Sequence, residues 1–521
     1  MQGDALPMSR RAFLRASSAA PLAALPLAGW FQSAEADTAA GVSPELLYLR
    51  RFSCGIRDAD WTAIRQLGVT DYLARQLAQT DPLTVTLAGV MFPNAAPAPA
   101  AHRLLAEMPA LCWHALEQRR KRTLFLAMYS PAQLRERMVE FWQDHFSTRP
   151  RSPEAGLFEC YKDDALRRLA FAPYGDLLTA VARSPAMLNF LDNHVSRKNA
   201  INENFARELL ELHTLGEGQG YTEQDVREVA RCFTGWTITA EGRFRFDAAA
   251  HDDGGKTVLG QPINAGGVQD GLSVLDLLAR HPHTARNIAR KYAVAFVSDT
   301  PPQALVKALA AVFESSGGRA AAMLQAIVAS SEFQASAGQK FMRPRLFVCS
   351  LARSFEVAET EGVPDAKLRV LDEMQNLPFA WLQPDGYPQT ADFWLSPQSL
   401  FQRLGYAAEE ARMDGLHANL ANFPRLTSLL QLSNITALAS GSENRVTRLF
   451  SPFSFPTVPR TLARELAGRL LRRALPAEVE TAVAGHIGDG APDRALPAAT
   501  AKERAPVAAA LLLTSPFYMK V

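Results

Sequence analysis

The sequence predicts a mainly α protein, a large multi-helix domain carrying one small β-hairpin insert. Three observations lead there. Apolar residues recur at helical spacing through most of the chain, punctuated by Pro and Gly. Hydrophobic residues make up 48% and charged residues 21%, enough apolar material for a large packed core. Only Trp236-Thr237-Ile238-Thr239 and Arg243-Phe244-Arg245-Phe246 alternate, around Ala240-Glu241-Gly242, as a hairpin does.

The first 36 residues read as an export leader. Ser9-Arg10-Arg11-Ala12-Phe13-Leu14-Arg15 has the form of a twin-arginine signal. The apolar stretch Ala16 to Phe31 is short of the ~20 residues that a bilayer demands, and Pro21, Pro26 and Gly29 interrupt it. Ala34-Glu35-Ala36 supplies a small-x-small cleavage site, so the mature chain is expected to begin near Asp37. That route implies the twin-arginine export machinery as a partner and a periplasmic or secreted location. It carries folded cargo, which favours a cofactor without naming one.

Helices are expected next at 43–52, 58–67 and 70–77, then a Pro/Ala linker at 93–99. A long pattern runs 102–128, and an amphipathic helix fills 131–146. Further helices read at 161–171, 174–182, 203–215 and 222–234. After the hairpin comes the polar loop His251-Asp252-Asp253-Gly254-Gly255-Lys256. Helices resume at 268–280, 284–297, 302–314, 319–330, 345–357, 398–413, 425–432, 459–473 and 500–514, with breakers at 360–365, 376–393 and 450–458 and a Gly/Ala/Pro-rich loop at 484–498. The mature chain, 37–521, is longer than one core usually serves, so two packed lobes with a boundary near 335–345 stand beside a single large domain.

A net charge of +2 gives no basic excess for nucleic acid, and no apolar run of the mature chain is long enough for a stable membrane span. Cys54, Cys112, Cys160, Cys232 and Cys349 are scattered, with no C-x-x-C, and are expected to be mostly buried thiols. The sequence has no G-x-S-x-G, Walker loop, H-E-x-x-H or C-x-x-C-H. Gly216-Glu217-Gly218-Gln219-Gly220 follows a helix and has the wrong glycine spacing for a dinucleotide loop, so it reads as a helix stop.

At ~100° per residue, the 203–215 helix sets Phe205, Ala206, Leu209, Leu212 and His213 on one face and Asn204, Arg207, Glu208 and Glu211 on the other. Glu208 and Glu211 are neighbours, whereas His213 faces away, which argues against a single-helix Glu-Glu-His metal site. On the 131–146 helix, Leu134, Met138, Phe141 and His145 share a stripe. Two helices thus each bury a histidine, and a buried imidazole needs a partner. The two either meet at a shared site, as ligands or as general base, or are separate core residues. Glu208 and Glu211 serve either as acid or base or as partners of Arg207. His251 and Asp252 are the candidates for exposed loop chemistry, or else shape a polar turn.

Several segments resemble the bacterial family called domain of unknown function 1800. They are Leu49-Arg50-Arg51-Phe52-Ser53-Cys54-Gly55, Phe141-Trp142-Gln143-Asp144-His145-Phe146, and above all Asn202-Glu203-Asn204-Phe205-Ala206-Arg207-Glu208-Leu209-Leu210-Glu211-Leu212-His213-Thr214-Leu215-Gly216. Tyr221 to Val226, Phe233-Thr234-Gly235-Trp236, His251-Asp252, Leu259-Gly260, His281-Pro282 and Trp394-Leu395-Ser396-Pro397 with Arg403-Leu404 extend the likeness over nearly the whole mature chain. Gln143-Asp144 stand where relatives often carry His-Asn. The resemblance implies a secreted bacterial protein, often encoded beside a second exported family that looks sulfatase-like; it carries a compartment, not a reaction. Two functions are expected from these readings. One is a periplasmic enzyme, hydrolase-like and dependent on His and carboxylate groups or a metal, drawing on His145, Glu208, Glu211, His213, His251 and Asp252. The other is a non-catalytic partner or scaffold of a co-exported sulfatase-like protein. The identity of any cofactor stays open, a metal included.

Overall fold

A computed structural model of the chain describes residues 41–93, 102, 107–263, 266–412, 444–451 and 454–521. The leader, the Pro/Ala linker beyond Pro93 and the helix expected at 425–432 lie outside the described residues.

Local chemistry sets the helix starts. Ser43, Ser152 and Ser184 each cap a helix whose first turn carries a proline, the residue that loses nothing there. Thr222 and Asp225 form a reciprocal capping box. The chain runs through α1 (Pro44–Phe52), α2 (Asp58–Ala78), α3 (Pro82–Met91), α4 (Pro109–Tyr129), α5 (Gln133–His145), α6 (Pro153–Leu169), α7 (Tyr174–Ala182), α8 (Pro185–Phe190), α9 (Asn204–Glu208) and α10 (Glu223–Cys232). Gly68, at φ +77°, kinks α2 where two helices were expected. α6 begins eight residues before its expected start, because Ser152-Pro153 is a cap that the reading passed over.

The insert holds two hairpins, not one. β1 (Trp236–Ile238) pairs antiparallel with β2 (Phe244–Phe246), as expected. β3 (Lys256–Val258) pairs with β4 (Gln261–Ile263) around Leu259 and Gly260, both at positive φ, the geometry of a two-residue hairpin turn. There follow α11 (Val268–Ala279), α12 (Pro282–Phe296), α13 (Gln303–Ser316), α14 (Ala320–Ala329), α15 (Pro344–Ser354), α16 (Asp365–Glu373), α17 (Pro397–Arg412), α18 (Pro459–Leu470), α19 (Ala477–Ile487) and α20 (Ala498–Leu513). The expected loop at 484–498 is shorter at its front, since α19 continues to Ile487. All five cysteines are buried thiols. Among the described residues no helix is long and apolar enough to cross a membrane.

Apolar side chains gather in two large clusters. One surrounds Phe52, Trp142, Tyr174, Trp236, Tyr292 and Phe333. The other surrounds Phe125, Phe347, Tyr406, Leu466, Leu512 and Tyr518. α5 was expected as an amphipathic helix. Instead every one of its residues except Arg135 is buried, and its polar side is packed against the start of α15.

Arg51 ties distant segments together. Its guanidinium donates to the carbonyls of Phe296 (2.8 Å), Val297 (2.6 Å), Ser336 (2.6 Å) and Val521 (2.7 Å). Arg51→Met removes a charged donor from all four acceptors, of which Ser336 O and Val521 O keep the amides of Gln339 and Lys340, and the expected loss is about 3–5 kcal/mol. Arg51→Lys recovers little, because an ammonium cannot span the same acceptors. Urea unfolding checks both, read as midpoint shifts at constant slope.

Candidate active site

The segment expected as one helix over 203–215 changes pitch halfway. α9 ends at Glu208, and Leu209–His213 forms a π-turn. The wider turn slips the register, so Leu210 and His213 are buried while Leu212, expected in the apolar stripe, is half-buried. The end of the turn explains the pitch. Its last carbonyls are taken by side chains: Lys291 donates to Leu212 O (2.8 Å), Tyr174 to His213 O, and Asn287 to Thr214 O (2.7 Å). Such π-turns are rare and concentrate at functional sites.

His145 and His213 do meet. Their rings lie 5.6 Å apart and nearly perpendicular, and the two Nδ1 atoms serve different partners. His213 Nδ1 donates to the carbonyl of His145 at 3.1 Å. His213 Nε2 is buried with no hydrogen-bond partner among the described residues. His145 Nε2 stands 2.9 Å from the Tyr174 hydroxyl, whose own proton goes to His213 O. The hydroxyl therefore accepts from His145, fixing the Nε2–H tautomer and leaving Nδ1 as an acceptor. Lys291 Nζ fills that position at 3.1 Å.

Electrostatics follow the burial. Desolvation holds His145 well below the usual imidazole value, with the charge of Lys291 adding to it. Desolvation and Lys291 together bring His213 down to about 3. Burial lowers Lys291 itself to about 8, against the opposing charge of Asp385. Lys291 is thus a lysine with a substantial neutral fraction near physiological pH.

This lysine lines a cavity of about 220 Å³. One wall is α5, through Phe141, Asp144 and His145; a second is one stripe of α12, through Asn287, Arg290, Lys291 and Val294. The third is the loop carrying Asp385, Tyr387 and Gln389. Gly386, at φ +80°, lets that loop touch α5, since a Cβ there would collide with the backbone carbonyl of Asp144. Gln389 Nε2 donates to Asp144 (2.9 Å), and Trp381 Nε1 holds Asp385 (2.8 Å).

The other predicted residues separate. Glu208 is half-buried and its carboxyl is pushed up by burial, then by the charges of Glu211 and Asp385, but it does not line the cavity. Glu211 lies 3.5 Å from Arg207, whose closer acid is Glu223 at 2.8 Å. His251 is fully buried away from the cavity: Nδ1 donates to Thr234 O (2.8 Å) and Nε2 faces Asp270 (3.2 Å), to which Lys256 is also paired (2.7 Å). Asp252 is held at about 2 by its hydrogen bonds from Arg231. His251 and Lys256 are therefore anchored inside the β insert, while Asp253, Gly254 and Gly255 between them are exposed. Lys291, Tyr174, Asn287 and Asp385 were missed. The only available signal was the i, i+3, i+4, i+7 spacing of Asn287, Arg290, Lys291 and Val294, which also describes a solvated helix face. Among the described residues no group of three His, Cys, Asp or Glu side chains is arranged to hold a metal ion.

A family model described as "Protein of unknown function (DUF1800)" matches residues 47–520. No curated protein and no solved structure matches the chain.

The two imidazoles make stability pH-dependent in a definite sense. Both are held neutral below the ~6.5 of an unfolded histidine, so below that pH the unfolded chain binds protons that the native chain does not. Their contribution is complete above about pH 6.5 and is lost as pH falls toward 3. Each adds a slope of about 1.4 kcal/mol per pH unit inside that window. Urea unfolding of the wild type and of His213→Gln between pH 7 and 4 should give a shallower slope for the variant.

Proposed function

The chain belongs to the DUF1800 family, and we propose that this member is an exported enzyme whose reacting group is the neutral amine of Lys291. One observation carries the reading. A neutral lysine has two N–H bonds and one lone pair. Leu212 O at 2.8 Å and His145 Nδ1 at 3.1 Å accept the two N–H bonds, and the amine lines the cavity. The remaining tetrahedral direction, the lone pair, is the one left for a molecule in that cavity. Burial supplies the neutral form and the π-turn with His145 supplies the orientation. His145 is a positioning residue, set by Tyr174.

Labelling with a small arylating reagent tests this directly. Lys291 should react ahead of the other lysines, its rate rising with pH through a midpoint near 8 and levelling above it. A rate that still climbs toward the ordinary lysine value of about 10.4 sinks the reading.

Export rests on the leader residues Arg10 and Arg11 and the small-x-small site at Ala34 to Ala36. Protein recovered from the periplasm should begin near Asp37, and Arg10→Lys with Arg11→Lys should leave full-length precursor in the cytoplasm. A second reading, a partner of a co-exported protein, is favoured by exposed Leu382 (58%), Phe393 (44%) and Phe401 (68%). A stoichiometric second protein in that same periplasmic preparation would support it.

A further inference from the structure

We propose that the cavity takes a small carbonyl compound bearing an anionic group, such as an α-oxo acid, and that Lys291 forms an imine with it. This rests on the reading of Lys291 as the electron-pair donor and names its substrate class.

The cavity is small. At about 220 Å³ it suits a small molecule rather than a polymer segment. Its polar groups are unevenly committed. Arg343 is spent on Glu140 and Asp144, at 2.6 Å each, so the Asp144 carboxylate is already neutralised. Asp385 is fixed by the indole of Trp381. Arg290, one residue before Lys291 and in the same stripe of α12, is exposed and makes no hydrogen bond or ion pair among the described residues. An unengaged guanidinium beside a reactive amine is a receptor for a carboxylate or similar anion. Phe141 and Val294 supply the apolar wall for the carbon between the two polar ends.

The chemistry balances without a further reagent. The Lys291 lone pair attacks the carbonyl carbon, forming the C–N bond while the carbonyl π pair moves to oxygen. One proton leaves nitrogen for that oxygen, giving a carbinolamine. The hydroxyl then departs with the second nitrogen proton as water, and the C=N bond forms. Both protons come from the N–H bonds that Leu212 O and His145 Nδ1 hold in the free amine. Hydrolysis is the reverse, so the amine is regenerated. Asp385 lines the same cavity and its charge acts on Lys291, which stabilises the positive charge that the nitrogen carries on first attacking the carbonyl, before its proton moves to oxygen.

The test is reductive trapping on the full mature chain. With glyoxylate and cyanoborohydride, a carboxymethyl increment is expected on Lys291, mapped by peptide mass spectrometry and absent in Lys291→Arg. Arg290→Ala, an exposed change, should raise the glyoxylate concentration for half-labelling by about ten- to a hundredfold. Labelling by the neutral glycolaldehyde should fall far less, by no more than the small rise in the Lys291 value that loss of the Arg290 charge allows. Adducts forming no faster on Lys291 than on surface lysines overturn the proposal, as does equal loss of both aldehydes in Arg290→Ala. Failure of trapping with the arylation midpoint still near pH 8 removes the substrate class alone. Failure of both removes the amine reading as well.

Discussion

Arg343 sits between two buried carboxylates of α5, donating to Glu140 and to Asp144 at 2.6 Å each, and the site depends on that fork. Burying three charges is costly unless every one is met by a partner in good geometry. Here Arg137 also pairs with Glu140, and Gln389 also donates to Asp144. Burial alone would raise Glu140, but Arg137, Arg343 and Arg345 outweigh it and hold the carboxyl at about 2. The consequence is positional. α5 is clamped to the chain leading into α15, and its last turn presents Asp144 and His145 at a fixed height. Against that turn lies Gly386, whose missing side chain allows the loop with Asp385 and Tyr387 to form the third wall. Loss of the fork would free this loop and α5 together, and the cavity between them would cease to be a defined space.

The sequence was informative wherever a local rule decided the outcome. The Ser43-Pro44 cap, the break at Gly68 and the alternation around Ala240-Glu241-Gly242 are all properties of a few adjacent residues, and the structure follows them. The apolar stripe of α5 brought His145 inward as expected, and His145 does lie against His213. Where the reading departed from the structure, a distant partner made the difference. The 203–215 segment has helical letters throughout. It turns to a π pitch because Lys291, Tyr174 and Asn287 draw its last carbonyls from elsewhere in the fold. α5 reads as amphipathic because nothing local reveals that Arg343 and Arg345 cover its charged side. His251 and Asp252 sit in a glycine-rich polar loop by their letters, yet Asp270, Lys256 and Arg231 fold that loop into a satisfied ionic corner.

Lys291 was the least legible of all, for a physical reason. Arg290-Lys291 on a surface-like helix is the common signature of a solvated face, and long side chains are usually free to stay in water. What removes Lys291 from that class is the geometry at its tip. A cation is also attracted by the negative end of a helix, so capping the π-turn by itself favours the charged form. Desolvation outweighs it and brings the amine to about 8. The two effects act on different features of the same group: the carbonyl and imidazole acceptors fix direction, and burial sets protonation.

That division gives both protonation states a use. When charged, Lys291 has a third N–H with no protein acceptor assigned to it, and the cavity is where an acceptor would be met. With Arg290 beside it, this state attracts an anion. When neutral, the same direction holds a lone pair, and repulsion between Lys291 and Arg290 is relieved. An anion seated on Arg290 shifts the amine back toward the charged form, whereas a carbonyl carbon placed at the lone pair draws on the neutral one. A ligand carrying both groups therefore engages Arg290 with its anion and Lys291 with its carbonyl, and a ligand carrying only one of them uses half of the site. The pairing of these two adjacent side chains at the cavity wall of α12, facing a fixed wall on α5, is what distinguishes this lysine from a structural cap.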